Sequence, residues 1–271
     1  MKRKTILVVF RMLFTTLSVW TFTFVSSGNQ LIAASTDGLN QLTVTLQADK
    51  QSYILGEPVA ITFKVTNNST ARIELPELID VRGGTLGLRI ASDDGVYRLY
   101  SGPGWYISGR RTRTPPVLQP GSTIETTATV LHNRVPQRGG LNDSVWQRVV
   151  KDEIDTEIAL SKPGRYSLKA ILFEKIESPP LEIYISEPQT TDDRESWKLI
   201  SSHPEYAYFM QTTGDTLHGT ITDQQTKEMV DSLETFINYH STSIYVPYFR
   251  AAINKHRALL ESMRKSGQVT Q

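Results

Sequence analysis

The chain of 271 residues contains no cysteine. Disulfide staples and thiolate-bound zinc are therefore excluded. A lipid anchor made on a cysteine at a cleavage site is excluded with them. Small extracellular domains of animals usually carry disulfides, so an exported chain without them points to a bacterial protein. The sequence also lacks a Walker loop, a GxSxG elbow, a GxGxxG fingerprint and an EF-hand loop. Its five histidines, His132, His203, His218, His240 and His256, include no pair four apart, so no HExxH zinc motif is possible. The N-terminal apolar run is uninterrupted only over residues 12–25. That is short of the roughly 20 residues needed to span a bilayer as a helix.

Charge is nearly balanced, with 29 basic and 28 acidic residues. Four of the basic residues, Lys2, Arg3, Lys4 and Arg11, lie within residues 1–34, where no acid occurs, so the remainder is net −3. A nucleic-acid partner calls for a basic footprint and is not expected. The basic start, the short apolar stretch and the small residues Ser26, Ser27, Ala33, Ala34 and Ser35 read as a secretory signal peptide over residues 1–34. Cleavage after Ala34 places Ile32 and Ala34 at the recognition positions, with cleavage after Ser27 as the alternative. A tilted anchor over residues 6–25 would instead place Arg11 in hydrocarbon, at a cost of roughly 2.5–3.5 kcal/mol. The expected location is periplasmic or extracellular, with no membrane span after cleavage.

From Leu42 onward the pattern is that of strands. Leu42, Val44 and Leu46 alternate with threonines; Ile61, Phe63 and Val65 form the inward face of a strand over residues 59–65. Gly56 supplies a positive φ in the turn between them. A short strand over 72–75, an alternating strand through Leu86, Leu88 and Ile90, and an Asp94-Gly95 hairpin into 96–100 come next. Residues 117–121 read as a turn into a Thr-rich strand over 124–131. Residues 132–157 form a polar insertion in which 143–154 suits a helix. Tyr166, Leu168, Ala170 and Leu172 alternate again, and 181–185 is the last strand. About eight strands with turns between them suit an all-β sandwich.

At residues 187–191 the hydrophobic period changes from 2 to 3.6. Short helices are predicted over 192–201 and 204–211. Thr222 with Gln225 forms a capping box before the stripe Met229, Val230, Leu233, Phe236 and Ile237. Phe249, Ala252, Ile253, Leu260 and Met263 make a second stripe.

The segments YILGEPVAITFKVTNNS, VYRLYSGPG, VLQPGSTIE and LSKPGRYSLKA, in that order, resemble an immunoglobulin-like β-domain of bacterial exported proteins. They are also similar to the non-catalytic N-terminal domain of deuterolysin-like secreted metallopeptidases. The resemblance covers residues 42–186. It implies a binding or scaffolding role, and the zinc motif of such peptidases is missing after it. Instead FINYHSTSIYVPYFRAAINKHRALLE looks like a single tetratricopeptide-type helix pair, with His240 where the usual proline would stand. The expected fold is thus mainly β: an antiparallel immunoglobulin-like sandwich over 42–187, then a small α-helical hairpin region over 192–266.

Candidate chemistry is sparse. Asp93-Asp94 and Asp192-Asp193 suit turn capping better than calcium. His203, His218 and Asp215 lack the spacing of a metal motif, and no cofactor or metal is expected. The recognition-like stretch is the loop over 101–116. Tyr100, Trp105 and Tyr106 lie near Arg110, Arg111 and Arg113, a combination of stacking surface and planar hydrogen bonding. The expected function is an exported, non-catalytic binding or structural module that contacts another exported protein or a cell-envelope component. Two rivals are an inhibitor or regulatory partner of an exported hydrolase, and a hydrolase with an unrecognised site. N-terminal sequencing of exported material should return Ser35 as the first residue; an intact Met1 in the membrane fraction would overturn the signal-peptide reading.

Overall fold

Period-2 alternation becomes paired strands because each one buries a single face. The structure, a computed structural model, describes residues 36–75, 79, 81, 85–102, 116–133, 157–212 and 223–265. The signal reading, the insertion helix over 143–154 and the Thr222 cap fall outside these residues. A one-turn helix, α1 (Thr36–Leu39), precedes the first strand. One sheet has the order β1-β3-β8, with β1 (Leu42–Ala48), β3 (Val59–Asn67) and β8 (Thr123–Val130), all antiparallel. The second runs β2-β11-β9-β5-β6, with β2 (Ser52–Ile54), β11 (Leu181–Ser186), β9 (Gly164–Leu172), β5 (Leu86–Ala91) and β6 (Arg98–Leu99). In it β2 lies parallel to β11, and β10 (Ile176–Glu177) pairs with β9. A small third sheet pairs β4 (Ile73–Glu74) with β7 (Val117–Leu118). Residues 117–118, expected to be a turn, are therefore a strand. β2 and β10 are too short to show a period.

The alternation places the core as expected. Val44, Ile61, Phe63 and Val65 of the first sheet meet Leu86, Leu88, Ile90, Leu168, Ala170, Leu172, Ile183 and Ile185 of the second in one buried cluster. Full burial of each large aliphatic side chain contributes about 1.5–3 kcal/mol. Ile61, Phe63, Val65, Leu86, Leu88 and Leu168 have no exposed surface. The Asp94-Gly95 hairpin forms, with Gly95 at φ +67 and its N–H bonded to the Ser92 carbonyl at 2.9 Å. At the start of β9 the Tyr166 hydroxyl donates to the Lys162 carbonyl at 2.9 Å and accepts from the Lys162 N–H at 3.2 Å. This closes the turn that feeds the strand.

After Pro188 the chain is helical: α2 (Thr191–Ser202), α3 (Pro204–Gln211), α4 (Asp223–Tyr239) and α5 (Val246–Lys265). Pro204 opens α3 at a position where its missing N–H costs nothing. The α4 and α5 stripes bury Leu233, Phe249, Ala252 and Ile253 against Ile200, Ala207 and Phe209. Leu131 and Ile158 of the strand-rich part belong to this same cluster, and Trp197 packs on both clusters. All described residues fall within one compact unit, Ala34–Gln271. Among them helix and strand are nearly equal in amount. The content is therefore mixed, and mainly β describes it only roughly, because the four helices expected after the strands hold about as many residues as the strands do. None of the described helices is long and apolar enough to cross a membrane.

The turn between β2 and β3 is where the helices seat. Gly56 has φ +77, and a Cβ built there would stand 2.6 Å from the Trp197 ring. Gly121 has a similar φ, +70, with nothing within 4 Å of such a Cβ. Gly121→Ala should therefore cost only the backbone term, about 1 kcal/mol. Gly56→Ala should cost roughly 2–4 kcal/mol, because it adds a steric clash to that term. Urea unfolding of the two variants checks the difference.

Candidate functional site

Three polar clusters stand out among the described residues; the first and third join the strand-rich and helical parts, and the second joins helices to one another. The first surrounds Glu57, whose side chain is 1% exposed. One carboxylate oxygen, Oε2, accepts from the Ile54 N–H at 3.2 Å. The other, Oε1, accepts from the Tyr248 hydroxyl at 2.9 Å and from Lys50 Nζ. Lys50 Nζ also lies 5.0 Å over the Tyr53 ring, and the Tyr53 hydroxyl donates to Asp49. The Tyr245 hydroxyl donates to the Leu55 carbonyl. Burial first, and neighbouring carboxylates second, push the hydroxyls of Tyr53, Tyr245 and Tyr248 well above the ordinary tyrosine range. They stay protonated as donors, which suits a clasp and does not suit general-base work.

The second cluster contains an aspartate, a histidine and serines, the residue types of a hydrolytic triad. Asp192 and Asp193 sit in the first turn of α2. Thr190 caps that helix, accepting from the Asp193 N–H at 3.0 Å and donating to Asp193 Oδ2 at 2.6 Å. Asp193 Oδ1 accepts from the Ile244 N–H at 2.8 Å and the Ser243 hydroxyl at 3.1 Å. Ser243 also meets Ser196 at 2.7 Å. Asp192 takes the Thr242 hydroxyl at 2.5 Å and His240 Nδ1 at 3.1 Å. The Thr242 bond first, and His240 second, hold the Asp192 carboxyl below its usual range. Three of the four carboxylate oxygens thus fasten the α4–α5 connection to the start of α2, and the fourth bonds the Thr190 cap. The pair caps, as its sequence context indicated. Asp94 does likewise, accepting from the Val96 N–H at 3.0 Å and pairing with Arg98 at 2.6 Å. His203 faces Glu205 on the surface at 3.2 Å; Asp215 and His218 lie outside the described residues.

The third cluster holds Tyr100. This residue, expected at a contact surface, is fully buried. Its hydroxyl donates to the His132 carbonyl at 2.8 Å and accepts from Gln211 Nε2 at 2.7 Å. Gln211 Oε1 in turn accepts from the His132 N–H at 2.5 Å. Burial raises the Tyr100 hydroxyl far above its usual range. Tyr100 has the parity of Leu88 and Ile90, and its N–H bonds the Leu88 carbonyl, so it faces the core; aromatic composition, not alternation, suggests a contact surface. Tyr97 lies on the outer face instead, its hydroxyl 2.7 Å from Ser167 and Lys169 over its ring. Beside Tyr100, the Ser101 N–H donates to Asn133 Oδ1 at 2.9 Å, and the Asn133 N–H to the Glu157 carbonyl at 2.8 Å. The other predicted contact residues, Trp105, Tyr106, Arg110, Arg111 and Arg113, lie outside the described residues.

No known family profile matches the chain. A search of curated proteins also returns nothing. Among solved structures, an alkylpurine DNA glycosylase from Pseudomonas fluorescens aligns at TM-score 0.31 and 10% identity over 54% of this chain and 30% of that one. A β-glucosidase from Listeria innocua aligns at 0.30 and 11% over 55% and 16%. The sporulation control protein Spo0M of Bacillus subtilis aligns at 0.27 and 14% over 59% and 56%. This chain thus spans less than two thirds of each, and similarity at this level carries no argument about function.

The Glu57 clasp is open to measurement. Glu57→Ala strands the Ile54 N–H and the Tyr248 hydroxyl and should cost about 2–3 kcal/mol, with Tyr248→Phe costing about 1 kcal/mol. The double variant should lose about 1 kcal/mol less than the two losses added, because both changes remove one shared bond. A denaturant double-mutant cycle checks this.

Proposed function

We propose that this protein is an exported, non-catalytic binding or structural module built on an immunoglobulin-like sandwich. Its partner in this reading is another exported protein or a cell-envelope component. Two features support the immunoglobulin-like assignment. The orders β11-β9-β5-β6 and β1-β3-β8 correspond to strands G, F, C and C′ facing A, B and E. Tyr166 bonds the backbone four residues upstream at the start of β9, as a tyrosine corner does at strand F.

The observation that carries the reading is the fastening of residues 100–102. Tyr100 is locked to His132 and Gln211, and Ser101 is locked to Asn133. The aromatic- and arginine-rich segment after it therefore starts from a rigid root. That root is bonded to the residues where two other polar segments start, Asn133 and Gln211. Recognition residues are commonly carried on connections set into a stiff β scaffold. The polar clusters that have catalytic residue types are engaged in capping and clasping, which further favours a binding role.

The double change Trp105→Ala and Arg111→Ala should weaken capture of an exported partner by tenfold or more, as truncation of such anchors typically costs about 2 kcal/mol. The melting temperature should not move. Cross-linking of the exported chain, followed by titration of the captured partner, measures the first; a thermal scan measures the second. Unchanged affinity with a lowered melting temperature would make Trp105 part of the core and overturn the reading.

A further inference from the structure

His132 is a half-buried titratable group, with its ring atom Nδ1 fully buried, that the proposed binding role leaves unused. It occupies the seat where the strand-rich part holds α3. Its backbone is bonded on both sides, the N–H to Gln211 Oε1 and the carbonyl to the Tyr100 hydroxyl. It forms an isolated bridge with Ile158, and the neighbouring Leu131 and Ile158 side chains enter the helical core. Its ring meets Tyr208 of α3 edge-on, with centroids 5.5 Å apart. Ring atom Nδ1 is buried and has no hydrogen-bond partner. A neutral imidazole tolerates one unpaired acceptor, but an imidazolium needs a partner for both N–H groups.

We propose that His132 is an acid-operated release for this seat: protonation of its ring frees α3 from the end of β8, while the helices remain joined to one another. Among the described residues, the groups packed on the ring offer no compensating charge. The described element α3 brings Tyr208 and Gln211, and the end of β6 brings Tyr100, all neutral. The bridge brings Ile158 and the exposed Glu157, whose carbonyl is taken by Asn133. Burial alone pushes the His132 ring down to about 4.

The direction is set by linkage. The seated ring binds its proton near 4, whereas a hydrated ring binds near 6.5, so the released form holds more protons between those values. Seating is at full strength above pH 6.5 and weakens as the pH falls towards 4. At pH 5 the balance should have shifted by about thirtyfold towards release. At the α2–α4–α5 junction the Asp192 carboxyl, bonded to Thr242 and His240, is held below its usual range and so keeps its charge as the pH falls through this interval.

Hydrogen exchange on the exported chain, corrected for the intrinsic rate at each pH, tests this. Between pH 7 and pH 5, protection of residues 129–133 and 204–211 should fall by at least tenfold, while that of β3 (Val59–Asn67) stays constant. His132→Phe, which keeps a ring against Tyr208 but carries no proton, should remove the difference. His132→Gln serves the same purpose if the phenylalanine variant does not fold. The ring carbon proton of His132, followed by NMR, should titrate below pH 5 at the onset of release. Equal pH dependence in wild type and both variants, simultaneous loss of protection in β3, or titration of the ring near 6.5 in the seated protein would each overturn the proposal.

Discussion

The contact on which the rest of the structure depends is the seating of three aromatic rings on the turn Leu55-Gly56-Glu57. Gly56 has no side chain, so the Trp197 ring can lie against its backbone. Tyr245 takes the Leu55 carbonyl, and Tyr248 takes the Glu57 carboxylate. Without this seat, Leu131, Ile158 and Ile54 would lose the helical side chains they pack against. The apolar stripes of α4 and α5 would in turn lose part of their cover. A second seat, between His132 and Gln211, holds the other end of the same boundary. Two attachments on different strands fix the helices in orientation as well as position.

Polar groups in this boundary serve placement more than net stability. The Lys50–Glu57 pair is buried on the carboxylate side and 40% exposed on the lysine side. Such a pair gains little over a well-packed apolar alternative, because the carboxylate must first leave water. What it adds is direction: the two carboxylate oxygens are satisfied only if the Ile54 N–H reaches one and Lys50 and the Tyr248 hydroxyl reach the other. Asp192 and Asp193 act in the same manner at the start of α2. Among the described residues, the set that resembles an active centre in composition, Asp192, His240 and Ser243, forms a bonded junction between helices.

Much of the architecture is legible residue by residue. The alternation through Ile61, Phe63 and Val65, and through Leu168, Ala170 and Leu172, marks strands whose inward faces are as expected. The change of period at residues 187–191 marks the start of α2, and Pro204 marks the start of α3. The shortest elements, β2, β7 and β10, escape such a reading or look like turns, because two or three residues carry no period and their pairing partners are distant. Tyr100 reads as a contact residue from the aromatic and arginine composition around it, yet it shares the inward parity of Leu88 and Ile90 and lies inside. Gln211 and Asn133, which fasten the root of the candidate loop, carry no signal at all: a polar residue at a helix end or after a strand looks like any solvated one.

By itself the sequence determined where the longer strands and the helices lie, that Gly56 is available for a positive φ, and that disulfides and the common catalytic motifs are absent. These are properties of local spacing and residue type, which short-range sterics and the burial of one face decide. Only the tertiary structure decided what those residues meet. Gly56 is needed for Trp197 as much as for its turn, Glu57 is a clasp and not a surface acid, and the His132 ring sits in a seat with its Nδ1 buried. Each of these depends on contacts between segments far apart in the chain, where no local period records the partner and only the packed arrangement brings the two together.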